Sequence, residues 1–253
     1  MDKTDKLTVV ILTKNEEKNI VDVVRNAKQV ATAILIVDSG STDNTVALAE
    51  ANGAMVVYRA WDNDFAAQRN FALQHVKTEW VLYLDADERL NNKLVEAIRR
   101  AVTAKEKKQY SIMREIYAFG FKYKHGIFKP DEVLRLFPTN AVNWEHKVHE
   151  RPVCNLPKEK LQGFIEHYTY DSWKQWWDKA GHYTTIWAED NFAKGKRTSL
   201  LKCFAHAVYG FIRAYILQLG FIDGWSGLYS SLQHFIYTMI KYLKLYELQQ
   251  KKK

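Results

Sequence analysis

Within the first hundred residues, short apolar runs return at intervals, over residues 7–12, 33–37, 54–58 and 80–84. The last of them, Trp80-Val81-Leu82-Tyr83-Leu84, is aromatic and β-branched, which suits a strand buried on both faces. Between the runs, apolar residues recur at helical spacing near 17–29, 43–52 and 65–77, and again near 92–104. Gly53 stands just past the second of these segments, where a helix C-terminal cap belongs. Strands that alternate with helices build right-handed crossovers and a mostly parallel sheet. The pattern therefore predicts a Rossmann-like α/β half, uninterrupted by repeats or low-complexity linkers.

Open α/β sheets bind ligands at the carboxyl ends of their strands, and here those ends are acidic. Thr13-Lys14-Asn15-Glu16-Glu17 follows the first run, Asp38-Ser39-Gly40-Ser41-Thr42-Asp43 the second, and Asp85-Ala86-Asp87-Glu88 the fourth. No G-x-G-x-x-G or G-x-x-x-x-G-K-[ST] is present, which argues against a dinucleotide dehydrogenase and a P-loop NTPase. An acidic edge suits ribose hydroxyls and a metal that carries phosphates. Asp85 and Asp87, two residues apart, leave an extended chain on the same side. Like charges so placed repel unless a cation lies between them, and Mg²⁺ takes one or two carboxylates together with phosphate oxygens. Plainer readings stand beside these: an acidic turn capping a helix from Asn91 onward, first-turn acids at Glu16 and Glu17, N-caps at Ser41 and Thr42, and a surface charge at Arg69.

Charge divides the chain. The net charge is +8; residues 1–170 hold 25 Lys/Arg against 23 Asp/Glu, and residues 171–253 hold 12 against 6, with five of the eight tryptophans. The two cysteines, Cys154 and Cys203, form no metal or redox spacing. The apolar run near the N-terminus is too short for a signal-peptide core or a membrane span, so the catalytic part is expected in the cytoplasm. In residues 200–219, Lys202, His206, Tyr209 and Arg213 form one polar stripe on an otherwise apolar helix; Ser230, His234 and Lys241, with Lys244 nearby, form a second. Charges interrupt both helices, which favours in-plane binding to an anionic membrane over a span. Packing as a helical subdomain or as a homodimer interface is the alternative. No nucleic-acid-binding motif appears.

The segments "TVVILTKNEEKNI", "ILIVDSGSTDNTVALAE", "FAAQRNFAL" and "VLYLDADERL", in this order and spacing, resemble family 2 glycosyltransferases of the GT-A fold. The resemblance implies that Thr13, Asn15, Glu16 and Asp38 bind the uracil and ribose of a UDP-sugar. It places Arg69 near the nucleotide and spreads the D-x-D over ribose and the metal-diphosphate, with Asp85 toward the ribose and Asp87 as the direct ligand of Mg²⁺ or Mn²⁺.

Residues 106–170 are less periodic, with strands expected over 117–123 and 133–137. They include "NWEHKVHERP", residues 143–152. Inverting sugar transfer needs a base to take the acceptor's hydroxyl proton, and Glu145, His146, His149 and Glu150 all have suitable chemistry. Similarity to lipopolysaccharide-core β-glucosyltransferase enzymes aligns their V-H-E segment with Val148-His149-Glu150. That implies Glu150 as the base and Glu145 as runner-up, with His149 orienting the carboxylate or contacting phosphate. His167, in "IEHYTY", is expected at the metal or diphosphate, or as a packed strand histidine.

The expected organisation is a nucleotide-sugar half over 1–105, an acceptor and catalytic half over 106–170, and a helical membrane-associating region over 171–253. The expected activity is metal-dependent, inverting transfer of glucose or a close hexose from a UDP-sugar. Its acceptor would be a hydroxyl of a lipid-linked or cell-surface glycan such as lipopolysaccharide inner core, and its place the cytoplasmic face of the inner membrane. Transfer to polyprenyl phosphate, and a non-catalytic GT-A scaffold that binds membrane or partner proteins, are the alternatives.

Overall fold

The computed structural model describes residues 6–146 and 150–251. The predicted alternation is present as β1 (Leu7–Thr13), α1 (Glu17–Ala27), β2 (Ala33–Asp38), α2 (Thr45–Ala51), β3 (Met55–Tyr58), α3 (Phe65–His75) and β4 (Trp80–Asp85). There follow β5 (Glu88–Leu90), α4 (Asn92–Ala101), β6 (Gln109–Ala118), β7 (Phe121–Lys122), β8 (Asp131–Pro138), β9 (Asn143–Glu145), β10 (Arg151–Val153) and β11 (Lys158–Tyr170). Three helices complete the described chain: α5 (Trp173–Ala193), α6 (Leu200–Ile212) and α7 (Trp225–Gln250).

Among the described residues the main sheet runs β3-β2-β1-β4-β8-β6-β11-β5, with β7 beside β6. The first four strands are parallel, and β8 joins β4 antiparallel. β1 lies between β2 and β4, with Thr13 level with Asp38 and Leu12 level with Asp85. This register draws the three acidic strand ends to one edge of the sheet. Side-chain alternation gives the sheet two dry faces. Leu7, Val9 and Ile11 pack with Ile20, Val24, Leu94 and Ile98 on one, and Val10, Leu35 and Tyr83 pack with Ala66 and Ala72 of α3 on the other. Each large aliphatic side chain so buried contributes about 1.5–3 kcal/mol.

One alternative reading and one expectation change. The turn after β4 does not cap α4; Asn91 does, its Oδ1 accepting from the Leu94 N–H at 2.9 Å and the Phe164 N–H at 3.1 Å. Gly163 allows that approach, since a Cβ there would strike Leu94 and Asn91. The aspartates are left instead in a turn that leads into β5, which Asn26 fastens by paired hydrogen bonds with the Leu90 backbone at 2.7 and 3.0 Å. The strand expected over 117–123 is a hairpin, because Phe119 (φ 54°) and Gly120 (φ 77°) turn the chain from β6 into β7. Two consecutive positive φ angles make a tight hairpin turn, and phenylalanine hides such a turn from inspection.

The described residues group into two compact units, the first extending to Arg114 and resuming over Asp131–His167, the second comprising Glu115–Pro130 and the chain from Tyr168 onward. In the second unit Ser172 and Ser199 cap α5 and α6 through their hydroxyls. The residues of α6 that face inward are small: Cys203, Ala207 and Gly210, continued by Ala214. A Cβ on Gly210 would press on His234 and Thr238 of α7, so the two helices pack closely. The stretch Leu200–Leu217, with mean hydropathy 1.3 and 22% of it buried, is long and apolar enough by length and composition to cross a membrane, despite Lys202 and Arg213. The second polar stripe is not presented outward. Ser230 is buried, Lys241 lies 4.8 Å from the ring centre of Trp187, and the Lys244 ammonium donates to the Gly181 carbonyl and the hydroxyls of Thr184 and Thr185.

Candidate active site

The loops after β1 and β2 are laced together by the side chains that the sequence singled out. The Thr13 hydroxyl donates to Asp38 Oδ1 at 3.3 Å, while Asp38 Oδ2 accepts from the Gly40 and Ser41 N–H groups, each at 2.9 Å. Asn15, at φ 57°, donates its N–H to the Ser41 hydroxyl and accepts from the Thr42 N–H, both at 2.8 Å. The Glu16 N–H donates to Thr45 Oγ1 at 2.8 Å, and its carboxylate accepts from Asn19 at 2.8 Å. Glu16 thus stands at the N-cap position of α1, and Glu17 is the acid in its first turn. Ser41 and Thr42 are not N-caps, because their hydroxyls serve this cross-loop lattice and Asn44 precedes α2. A shaped loop pair on the carboxyl edge results.

The "QRN" element explains the next layer. The Gln68 amide donates to the carbonyls of Arg59 and Ala60 at 3.1 and 3.2 Å, while Asn70 exchanges hydrogen bonds with the Trp144 backbone at 2.8 and 2.9 Å. Between them Arg69 is buried, its guanidinium 4.7 Å from the Trp144 ring centre and 5.3 Å from that of Tyr83. Its Nη2 donates to Asp85 Oδ1 at 3.4 Å and to Glu150 Oε1 at 3.3 Å. One guanidinium therefore touches both the first acid of the D-x-D and the predicted base.

Asp85 has a second cation: Arg135 Nη2 lies 2.6 Å from Asp85 Oδ2 and 2.7 Å from Glu88 Oε1. Arg114 continues the chain of charge, reaching Glu88 at 3.3 Å and Asp131 at 2.8 Å. Burial alone would raise the pKa of Asp85, but Arg135 and Arg69, with a smaller contribution from His167, outweigh it and hold this carboxyl well below the usual range. Burial would lower the pKa of Arg135, and Asp85 and Glu88 reverse that, so the pair is ionic. Sequence inspection missed Arg135 and Arg114, and placed Glu88 among the strand-end acids without a role. The signal was an arginine inside the apolar alternation "VLRLF", because a cation on a buried strand is costly unless it is paired.

Asp87 is differently placed. Its Oδ2 lies 3.3 Å from His167 Nε2, with the two side chains 21% and 16% exposed. The antiparallel pairing of β11 with β5 sets His167 level with Glu88 and so beside the turn. His167 Nδ1 is buried without a hydrogen-bond partner among the described residues. Glu145 is solvent-facing and pairs with Arg151 at 3.5 Å, and His146 is exposed. His149 lies outside the described residues.

Arg69, Asp85, Arg114, Arg135, Trp144 and Glu150 line one cleft of about 270 Å³. A larger hollow of about 510 Å³ lies near the C-terminal end of α4, beside Arg100, Lys108 and Lys160, and contains none of the predicted site residues. The predicted site residues Arg69, Asp85 and Glu150 converge on the smaller cleft.

An α/β sheet with interlaced polar loops at its carboxyl edge, a D-x-D and a nearby carboxylate is the arrangement expected of a GT-A glycosyltransferase. The chain belongs to glycosyl transferase family 2, whose family model matches residues 8–155, more than half of its length. Among curated relatives, an uncharacterised glycosyltransferase of Rickettsia typhi is 26% identical over 258 residues, covering 97% of this chain and 87% of the relative. The lipopolysaccharide core biosynthesis glycosyltransferase LpsC of Rhizobium meliloti is 27% identical over 252 residues, covering 95% and 92%. Glucosyl-3-phosphoglycerate synthase from Mycobacterium tuberculosis, solved with Mn²⁺, UDP and phosphoglyceric acid, is 17% identical with a TM-score of 0.40. The match covers 54% of this chain and 57% of that one, too distant a likeness to carry site detail across.

Proposed function

We propose that this glycosyltransferase moves a hexose, glucose or a close relative, from a UDP-sugar to a hydroxyl of a lipid-linked or cell-surface glycan, with inversion at the anomeric carbon. The observation that carries the reading is the meeting of Asp85 and Glu150 on the single guanidinium of Arg69. Donor acid and candidate base are thereby held in one cleft. The likeness to LpsC supports lipopolysaccharide core as the acceptor class.

The loop pair of Thr13, Asn15, Glu16 and Asp38 receives uracil and ribose. Asp38 acts by holding the loop in shape, since Thr13, Gly40 and Ser41 already occupy its carboxylate. Asp87 and His167 fit a Mg²⁺ or Mn²⁺ ion, offering a carboxylate oxygen and an imidazole nitrogen that face each other at 3.3 Å. No group of three or more His, Cys, Asp or Glu among the described residues could hold an ion alone, so diphosphate and water oxygens would complete the shell. Such an ion, when bound, supplies positive charge to the leaving diphosphate. Asp85 is the poorer ligand, being already neutralised by two arginines. Glu150 takes the acceptor's hydroxyl proton as the oxygen attacks the anomeric carbon, and the bond to the diphosphate breaks on the opposite side. Arg69 orients that carboxylate.

The second unit supplies attachment. The stripe Lys202, His206, Tyr209 and Arg213 is exposed along α6 and the π-helical turn that follows it, beside a broad exposed sector that includes Leu201, Phe204, Ile212 and Ile216. A helix of this pattern lies in the plane of an anionic membrane surface, with its basic residues toward the headgroups.

The test is a panel of UDP-sugars assayed for UDP release, with and without chelator. Turnover of one donor that stops in chelator and returns with Mg²⁺ or Mn²⁺ is the expected result. Turnover of none would favour the scaffold reading, and full turnover in chelator would remove the metal. Normal transfer by Glu150→Gln would favour a phosphate acceptor, which needs no base.

A further inference from the structure

We infer that the second unit carries a binding pocket for a single sugar ring, built around Gln233 of α7. The pocket has a volume of about 120 Å³ and is lined by Phe128, Tyr170, Trp176, Gln233, His234 and Tyr237. Gln233 is 1% exposed, and neither its Oε1 nor its Nε2 has a hydrogen-bond partner among the described residues. An unsatisfied buried amide costs about 1–3 kcal/mol for each group left without a partner. Its neighbours on the helix avoid that cost: the Ser230 and Ser231 hydroxyls donate to the Gly227 carbonyl at 3.1 and 2.7 Å. A methionine would fill the same volume without penalty, so packing alone does not account for glutamine.

The chemistry around the amide indicates what it meets. A carboxamide presents one acceptor and one donor side by side, the complement of two adjacent hydroxyls on a pyranose. Aromatic side chains supply apolar faces for the C–H side of such a ring, and pockets that combine an apolar lining with few polar groups fix a ligand's orientation. Burial first, then Lys241 and Arg213, hold the His234 imidazole below its usual pKa. A neutral imidazole carries one donor and one acceptor, and its Nε2 edge lies toward Gly210 of α6. The space exceeds what one water needs, roughly 10–15 Å³. On the reading that the acceptor is a glycan, this pocket receives one of its rings, and the residues proposed for the chemistry all belong to the other unit.

The experiment is saturation-transfer NMR on the full chain with methyl glucoside, methyl galactoside and N-acetylglucosamine. It compares the unaltered protein, Gln233→Met and Asp87→Asn. The expected result is binding of at least one of these sugars, unchanged in Asp87→Asn and weakened about tenfold or more in Gln233→Met, the scale of losing two hydrogen bonds. UDP affinity and helicity should be the same in Gln233→Met and the unaltered protein. Equal sugar binding in Gln233→Met, or none by any protein at tens of millimolar, would overturn the inference. A higher melting temperature in Gln233→Met with sugar binding intact would also overturn it and leave the pocket to water. Failure of the glycosyltransfer reading would appear separately, as absence of UDP release from every UDP-sugar.

Discussion

In the first unit Ile11, Leu82 and Ile98 are fully buried, and the charges that enter the interior, Arg135 and Glu88, meet an opposite charge there. In α6 of the second unit the inward positions are Cys203, Ala207 and Gly210, while Leu201 is 78% exposed and Trp225, at the start of α7, is 84% exposed. The first pattern belongs to a domain that satisfies itself in water. The second places small residues between helices and leaves large apolar residues outside, the distribution that the proposed docking to a membrane surface needs. On the proposed function, chemistry falls to one unit and docking to the other, and each proposal can be broken separately.

The largest expected effect is in the first unit. Glu150→Gln should keep UDP affinity and lower turnover by roughly 10²- to 10⁴-fold, the scale of general-base catalysis. Glu145→Gln should cost far less, because that side chain faces solvent; the reverse order in single-turnover rates would move the base to Glu145. Next is Arg135→Met, which among the described residues leaves buried Glu88 with Arg114 as its one cation and deprives Asp85 of its shortest ion pair. Removing one partner of a buried pair costs about 3–5 kcal/mol. Urea denaturation should show that loss, and adding Glu88→Gln should restore part of it. A loss under about 1 kcal/mol would mean that the charge network does not hold the cleft.

In the second unit, Asp223 accepts from the Lys124 and His125 N–H groups at 2.8 Å and lies 2.7 Å from His125 Nδ1. Burial would raise its pKa, but His125 and those amides more than compensate, so its folded value is depressed. A depressed acid contributes stability above its unfolded value of about 3.9, and that contribution is lost as pH falls through the folded value. Asp223→Asn should therefore cost about 1.5–3 kcal/mol at pH 7. The gap to the unaltered protein should narrow as the pH falls below about 4. A gap independent of pH would show that the carboxylate's charge is irrelevant there.

The smallest effect tests docking. Changing Lys202 and Arg213 to Glu keeps the exposed apolar sector but reverses charge on its polar stripe. Each basic residue near an anionic surface is worth about 1 kcal/mol, so co-sedimentation with anionic vesicles should fall by about tenfold or more. The remainder should depend less on salt. Unchanged sedimentation with intact helicity, together with a dimer in solution, would turn the same apolar sector into an interface between copies.

The sequence by itself determined the alternation of strands and helices, because hydrophobic period and strand-end polarity are local properties of the chain. It also singled out Asp85 and Asp87 by their spacing at a strand end, whereas Arg69 and Glu150 were proposed from the family resemblance and His167 as one reading of a strand histidine. Their partners were decided in three dimensions. Arg69 and Glu150 are 81 residues apart and Arg135 and Asp85 50 apart, so only the folded sheet shows which cation meets which acid. The two polar stripes were alike in sequence and different in fact. That on α6 faces out, whereas Lys241 and Lys244 of α7 turn toward the aromatic rings and carbonyls of α5. Helical spacing defines a face, but which face is covered depends on the neighbouring helix, and that choice exists only once the chain has packed.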